Sequence, residues 1–236
     1  MRSPRGVRLA IACCVLAATA CGGSESPGRA ADSTGRIELP GLSILPPQKG
    51  DWFVQPYAHR EGYPLTAVIR ISKKLPGAST IGAWDGRLVF GGLMVLDLKD
   101  QKFATPTEFL ESFKGERAGD SDESGAQGQR YVEFEAALDE SLPSTCVRYR
   151  HLTEVGPVEG FSGSPAFNST HGLYCLHPNW PRYAIDVTYS QLYARSQTPL
   201  SLEGEMEPFF TSLVFTSAHP VAVTSLARRR FTAPPG

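Results

Sequence analysis

The sequence lacks an excess of positive charge. Its 23 lysine and arginine residues are balanced by 24 aspartate and glutamate residues. Nucleic-acid-binding proteins concentrate basic side chains on one surface, so this balance gives no support for DNA or RNA as a partner.

The sequence also lacks an apolar segment long enough to cross a membrane. Its clearest apolar run, from Leu9 to Ala20, is shorter than the roughly 20 residues that a spanning helix needs. The arginines Arg2, Arg5 and Arg8 precede this run, and small residues end it. This order is typical of a secretory signal peptide, which we assign to residues 1–20.

The end of that segment reads Ala18-Thr19-Ala20-Cys21. It resembles the lipobox of bacterial lipoproteins, with Ala18 in place of the usual leucine. The resemblance implies diacylglycerol on the Cys21 sulfur, cleavage before Cys21, and acylation of the new N terminus, for example with palmitate. Gly22 follows the cysteine, and the resemblance then implies sorting to the outer membrane, on its periplasmic face, rather than to the inner membrane. The alternative is an ordinary signal peptide cleaved near Ala20, which would leave Cys21 as a free thiol.

Cysteine is scarce, with five residues in the whole chain. Cys13 and Cys14 leave with the leader, and Cys21 would carry the lipid. Cys146 and Cys175 then remain as an even pair in an oxidising compartment. We therefore predict that they form a disulfide.

The chain after the leader divides by composition into three parts. Residues 21–48 are rich in glycine, serine, proline and charge, which predicts a disordered tether behind the lipidated N terminus. Residues 49–218 carry the periodic apolar patterns of a folded domain. Residues 219–236 have no pattern and are predicted to be a tail.

The folded part is dominated by patterns of strands. Alternating or continuous apolar segments predict strands near 65–72, 88–98, 130–136, 146–150 and 183–189. The pair Gly91-Gly92 leaves open whether 88–98 is one strand or two joined by a bend. In the segment 130–136, alternation places Val132, Phe134 and Ala136 on one face.

Two segments are predicted to be helical. Thr105, Pro106 and Glu108 have the spacing of a capping box with proline at the first helical position. Residues 114–129 are predicted to be a surface loop, and a second helix is predicted from Met206 to Leu213. Together these elements predict a single α+β domain, an antiparallel sheet with two or three helices packed on one face. The order of the elements resembles the α/β/α sandwich of the PsbP/Mog1 type, which by itself implies no activity.

One motif suggests catalysis. The segment Gly160-Phe161-Ser162-Gly163-Ser164-Pro165 resembles the nucleophile segment of chymotrypsin-like serine proteases, and His59 and Asp97 precede Ser162 in that family's order. Phe161 stands where the family has a polar residue. The alternative interpretation is that glycine, serine and proline form a turn.

A second constellation suggests a metal or redox site. His171, Cys175 and His177, with Cys146 as a fourth member, are residue types that bind zinc. A disulfide between the two cysteines is the competing interpretation.

The segment around Tyr174, His177 and Trp180 is rich in aromatic residues and proline. It could form a surface for an envelope protein or a glycan, and the alternative is that it packs in the core. We predict a lipid-anchored envelope protein with a non-catalytic binding or scaffolding domain and no cofactor.

Overall fold

A computed structural model describes residues 29–30, 35–56, 65–75, 87–119, 129–156 and 166–218. The strands are β1 (Arg29–Ala30), β2 (Ile37–Leu39), β3 (Leu42–Ile44), β4 (Trp52–Pro56), β5 (Leu65–Lys73), β6 (Arg87–Asp97), β7 (Gln129–Leu138), β8 (Cys146–Val155), β9 (Ala166–Leu176), β10 (Tyr183–Ala194) and β11 (Val214–Phe215). The helices are α1 (Pro106–Gly119) and α2 (Glu203–Thr211). The predicted signal peptide, Cys21 and the tail 219–236 lie outside the described residues.

The strands form two antiparallel sheets. The large sheet has eight strands in the order β1-β4-β5-β6-β10-β9-β8-β7, and the small sheet has three in the order β11-β3-β2. The prediction of antiparallel sheet with helices packed on it is confirmed, although most of the structure is strand rather than helix.

The two helices cover opposite faces of the large sheet, so the prediction that they share one face is wrong. Alternate residues of β10 show the arrangement, since Ile185 and Val187 belong to the cluster that contains α2, whereas Ala184 belongs to the cluster that contains α1. Both faces of this central strand are buried and both therefore need a cover. We call the two sides of the sheet the α1 face and the α2 face.

The small sheet lies on the α2 face and comes partly from residues predicted to be tether. Leu42 and Ile44 of β3 are fully buried in the same cluster as α2. Leu39 pairs with Leu42 across Pro40 and Gly41, and Gly41 has a φ of 84°. Proline followed by a glycine with positive φ is the pattern of a type II turn. The disordered tether therefore does not extend through residues 37–44.

Helix α1 begins as predicted and ends later than predicted. The Glu108 backbone N–H donates to Thr105 Oγ1 (3.2 Å), and the Glu108 carboxylate accepts from the Ala104 N–H (2.7 Å). The helix then continues to Gly119, through residues that were predicted to be a loop. Among these residues is Arg117, whose buried side chain explains why the helix is retained there.

Strands β6 and β7 each settle or correct one expectation. β6 is a single strand, and a Cβ added to Gly92 would overlap the Ile69 carbonyl oxygen, so glycine permits close approach of β5. In β7 the register shifts between Tyr131 and Glu133, which is a β-bulge at Val132. Val132 is exposed as a result and does not share a buried face with Phe134, contrary to the prediction.

Candidate functional site

Polar side chains lie across the middle of the α1 face. Along β8, Val147 packs under α1 and Val155 belongs to a separate apolar cluster at the other end of the face. The side chains between them are polar. The strand ladder continues this polar zone onto β9 and β10. We call it the polar belt, and its members are Arg117, Tyr149, His151, Thr153, Asn168, Thr170, Asp186 and Ser190.

An ion pair occupies the end of the polar belt nearest α1. Arg117 Nη2 donates to Asp186 Oδ2 (3.2 Å), and the Tyr149 hydroxyl donates to Asp186 Oδ1 (2.8 Å). Only 1% of the Asp186 side chain is exposed. The Arg117 guanidinium carbon lies 5.3 Å from the ring centroids of both Phe113 and Tyr149. Helix α1 thus supplies a cation that compensates the buried carboxylate.

Burial changes the acidity of both acidic groups in this cluster. It raises the pKa of Asp186 above its ordinary value, although Arg117 and the Tyr149 hydroxyl both act to lower it. Burial and the neighbouring Asp186 carboxylate raise the pKa of Tyr149 well above its ordinary value. Tyr149 therefore keeps its proton and remains a hydrogen-bond donor.

A glycine makes room for the tyrosine. Tyr149 pairs with Gly172 across β8 and β9, and a Cβ at Gly172 would overlap the Tyr149 ring. The ring can therefore lie across β9 only because residue 172 has no side chain.

His151 is the next residue of β8 on the same face. Its ring stacks on Tyr149, with centroids 6.1 Å apart, and meets the Tyr131 ring at 5.1 Å in an edge-on arrangement. Burial, together with the positive charges of Arg117 and His171, lowers the pKa of His151 to about 3. His151 is therefore neutral at physiological pH.

Two atoms of the polar belt have no hydrogen-bond partner among the described residues. Three buried side-chain polar atoms are unpartnered in the described part of the chain, and two of them are His151 Nδ1 and Asn168 Oδ1. Asn168 is 8% exposed. A buried polar group without a partner costs about 1–3 kcal/mol, so such atoms are rare unless water or a ligand pairs with them. Nearby hydroxyls are paired with each other, since Thr170 Oγ1 and Ser190 Oγ are 2.8 Å apart.

The predicted disulfide is confirmed. Cys146 and Cys175 are directly opposite each other in the β8–β9 ladder and are bonded. Both are buried on the α2 face in the cluster that contains α2.

The three aromatic residues considered as a binding surface do not form one exposed patch. Tyr174 is buried on the α1 face and stacks on Phe109 of α1, with centroids 5.2 Å apart. His177 is fully buried, and its Nε2 lies 2.9 Å from the Gly41 carbonyl oxygen. Trp180 is half-buried, and its indole N–H donates to the Ser217 carbonyl (3.2 Å).

The residues of the zinc alternative are engaged in other contacts. The two cysteine sulfurs are bonded to each other, and the His177 ring also accepts from the Asn179 backbone N–H (3.2 Å). The His171 ring stacks on Tyr189 at 4.9 Å. Within the described ranges no group of three histidine, cysteine or acidic residues is placed to bind a metal ion.

Of the protease alternative, only Asp97 lies within the described residues. Its carboxylate accepts two hydrogen bonds from Arg182, both 2.7 Å long, and a third from the Lys99 N–H (2.8 Å). These contacts lower the pKa of Asp97, with the Arg182 hydrogen bond contributing most. His59 and Ser162 lie outside the described residues.

The residues of the polar belt were not recognised from the sequence as a site. One signal was available, because Asp186 is the one charged residue in the strand segment from Tyr183 to Tyr189. An aspartate in a strand buried on both faces requires a cationic or hydrogen-bonding partner. The partner, Arg117, could not be identified because it lies in a segment that was predicted to be a loop.

Comparisons with known proteins assign no family to this chain. No family model matches the sequence, and no curated protein is similar to it. Neither helix in the described ranges is long and apolar enough to cross a membrane.

Proposed function

We propose that this protein is a lipid-anchored component of a bacterial envelope and that its domain binds a ligand at the polar belt without catalysing a reaction. The anchor is supported by the lipobox-like segment ending in Cys21. The disulfide between Cys146 and Cys175 fits an oxidising compartment. With Gly22 after the cysteine, the proposed location is the periplasmic face of the outer membrane.

The observation that carries the proposed binding role is the pair of unpartnered atoms, His151 Nδ1 and Asn168 Oδ1. They belong to neighbouring strands and lie on the same face of the sheet. A ligand that pairs with both would offset the cost of burying these atoms without a partner.

Two features of the polar belt favour binding over acid–base catalysis. The Asp186 carboxylate is committed to Arg117 and Tyr149 through both oxygens. His151, with its pKa lowered to about 3, is a weak base and is almost never protonated at neutral pH. A general acid or base works best when its pKa is near the operating pH.

The anchor is tested by mass spectrometry of the mature N terminus. We expect Cys21 to carry diacylglycerol, and we expect Cys21→Ala to move the protein from the membrane fraction to the soluble fraction. An unmodified Cys21 at the N terminus of the mature protein would refute the anchor.

The binding role is tested by thermal unfolding of the mature chain in the presence of small-molecule fractions from envelope extracts. We expect at least one fraction to raise the midpoint of the wild type and not that of Asn168→Leu. His171→Gln is the matched control, because His171 lies on the α2 face of the same strand and should leave the effect unchanged. Binding at the polar belt is the wrong location if every fraction acts equally on the wild type and on Asn168→Leu, and the binding role is wrong if no fraction stabilises the wild type.

A further inference from the structure

The positions of the two unpartnered atoms allow a single ligand to reach both. His151 pairs with Thr170 in the β8–β9 ladder, and Thr153 pairs with Asn168, so His151 and Asn168 occupy adjacent rows of the same face. Diagonal neighbours of this kind have their Cα atoms about 7–8 Å apart, within reach of each other's longer side chains. A group of a few atoms placed between them can contact both.

The hydrogen-bonding capacity of the two atoms determines which chemical group of a ligand can pair with them. Asn168 Oδ1 can only accept, so the ligand must donate to it. The neutral His151 ring has one nitrogen that donates and one that accepts, so Nδ1 requires either an acceptor or a donor. A hydroxyl group can donate to Asn168 Oδ1 and, through its oxygen, accept from His151 Nδ1 when that nitrogen carries the ring proton; in the other tautomer a second hydroxyl donates to Nδ1.

The charges near His151 and Asn168 disfavour the binding of a charged ligand. The positive charge of Arg117 acts on His151 and disfavours a second positive charge there. A carboxylate group has no proton to donate to Asn168 Oδ1, and the nearby Arg117 already pairs with Asp186. Charge in a buried site without a compensating partner is strongly unfavourable. The ligand should therefore be neutral.

The remaining side chains of the polar belt are suited to further hydroxyl groups. Thr153, Thr170 and Ser190 are buried and carry hydroxyls; those of Thr170 and Ser190 bond to each other, and each keeps a lone pair for a further hydrogen bond. We propose that the polar belt binds a small neutral molecule carrying several hydroxyl groups, a polyol or a sugar. This inference rests on the proposed binding function and adds the chemical class of the ligand.

The experiment is an NMR titration of the ¹⁵N-labelled mature chain that follows the ring nitrogens of His151. The neutral probes are erythritol, glucose and maltose, which differ in size, so their relative affinities distinguish a polyol, a single sugar and a longer glycan. The charged probes are glucuronate and glucosamine. We expect saturable shifts at His151 Nδ1 with at least one neutral probe and at least tenfold weaker binding of both charged probes.

Variants on the α1 face and on the α2 face show whether the probe binds at the polar belt. Asn168→Leu keeps the size of the side chain and removes the acceptor, and we expect it to weaken binding of the neutral probe about tenfold, as loss of one buried hydrogen bond does. Thr153→Val provides a second, nearly isosteric substitution on the same face, with an expected loss of about threefold or more. The control His171→Gln should bind as the wild type does.

The possible failures are separable. Preferential binding of a charged probe would overturn the ligand class and leave the binding function standing. Unchanged affinity in both Asn168→Leu and Thr153→Val would overturn the location. If no neutral probe gives saturable shifts and an envelope fraction still stabilises the wild type, the class is again wrong. If no fraction stabilises it, the binding function itself fails.

Discussion

The two faces of the large sheet are buried by different kinds of contact. The α2 face is covered by Met206, Phe209 and the small sheet, and its cluster consists of apolar side chains and the disulfide. Polar side chains on this face are paired within the protein, as Gln191 is with the Leu200 backbone and Lys73 with Glu205. The α1 face is apolar only at its two ends. Between them lies the polar belt, with a buried ion pair, a neutral histidine and two unpartnered polar atoms.

Under the proposed function, this difference separates the residues that stabilise the fold from those that bind the ligand. Full burial of a large apolar side chain contributes about 1.5–3 kcal/mol, so the α2 face accounts for much of the stability of the fold. Buried ion pairs and unpartnered polar atoms contribute little or oppose folding. The α1 face keeps polar atoms that have no partner among the described residues, and the proposed ligand binding would account for their retention.

The largest effect that tests this comparison is expected from Asp186→Ala. The substitution leaves the buried Arg117 charge without its carboxylate, and breaking such a pair costs about 3–5 kcal/mol. Urea unfolding of the mature chain measures the loss. The double variant Arg117→Met with Asp186→Leu is the control, because an apolar replacement of similar size should recover most of the stability. If the double variant is no more stable than Asp186→Ala, the cost of Asp186→Ala does not come from leaving the Arg117 charge unpaired.

On the α2 face, removing the disulfide is expected to have a slightly smaller effect. The two cysteines are 29 residues apart in sequence. For a loop of this length, loss of the cross-link in Cys146→Ala with Cys175→Ala should cost about 3–4 kcal/mol on the chain-entropy model. Differential scanning calorimetry of the variant and the wild type provides the measurement. The contrast between the faces predicts that the double variant still binds its ligand, and loss of binding at a temperature where the variant remains folded would contradict it.

The smallest of the three effects is a dependence of stability on pH. His151 has a pKa of about 3 in the folded chain against about 6.5 when unfolded, so the unfolded state binds more protons as the pH falls below 6.5. Stability should therefore decrease with falling pH, by about 2 kcal/mol between pH 7 and pH 5. Tyr131 and Tyr149 contact the ring, and the two charges that act on it, those of Arg117 and His171, both lower its pKa and so keep this sign.

Two histidine variants assign this pH dependence to one face. His151→Gln should lose most of the slope between pH 7 and pH 5. His171→Gln on the α2 face should keep most of it, because His171 has only a smaller lowering of its pKa, mainly from burial. A full slope in His151→Gln would place the titrating group elsewhere.

The sequence predicted elements whose signals are local. The capping residues Thr105 and Glu108 marked the start of α1, and alternation placed Tyr183, Ile185, Val187 and Tyr189 on one face of β10. The hairpin of β2 and β3 was missed although Pro40-Gly41 between alternating leucine and isoleucine residues is a turn signal. The surrounding glycine, serine and proline residues predicted a disordered tether, and this composition was given more weight than the turn signal.

Features that depend on distant contacts could not be read from the sequence. The bulge at Val132 depends on pairing with β8, and the opposite placement of α1 and α2 depends on which face of β10 each helix covers. The polar belt combines residues from α1, β8, β9 and β10. Arg117 and Asp186 are 69 positions apart in the chain, and only the folded sheet shows that they meet.

The central claim is that His151 Nδ1 and Asn168 Oδ1 are partnered by a hydroxyl group from outside the chain. A high-resolution crystal structure of the mature protein tests it directly. The account predicts density for a ligand hydroxyl, or for the ordered water that replaces it, about 3 Å from both atoms. Hydrogen bonds from both atoms to groups of the protein itself, with no density between them, would contradict it.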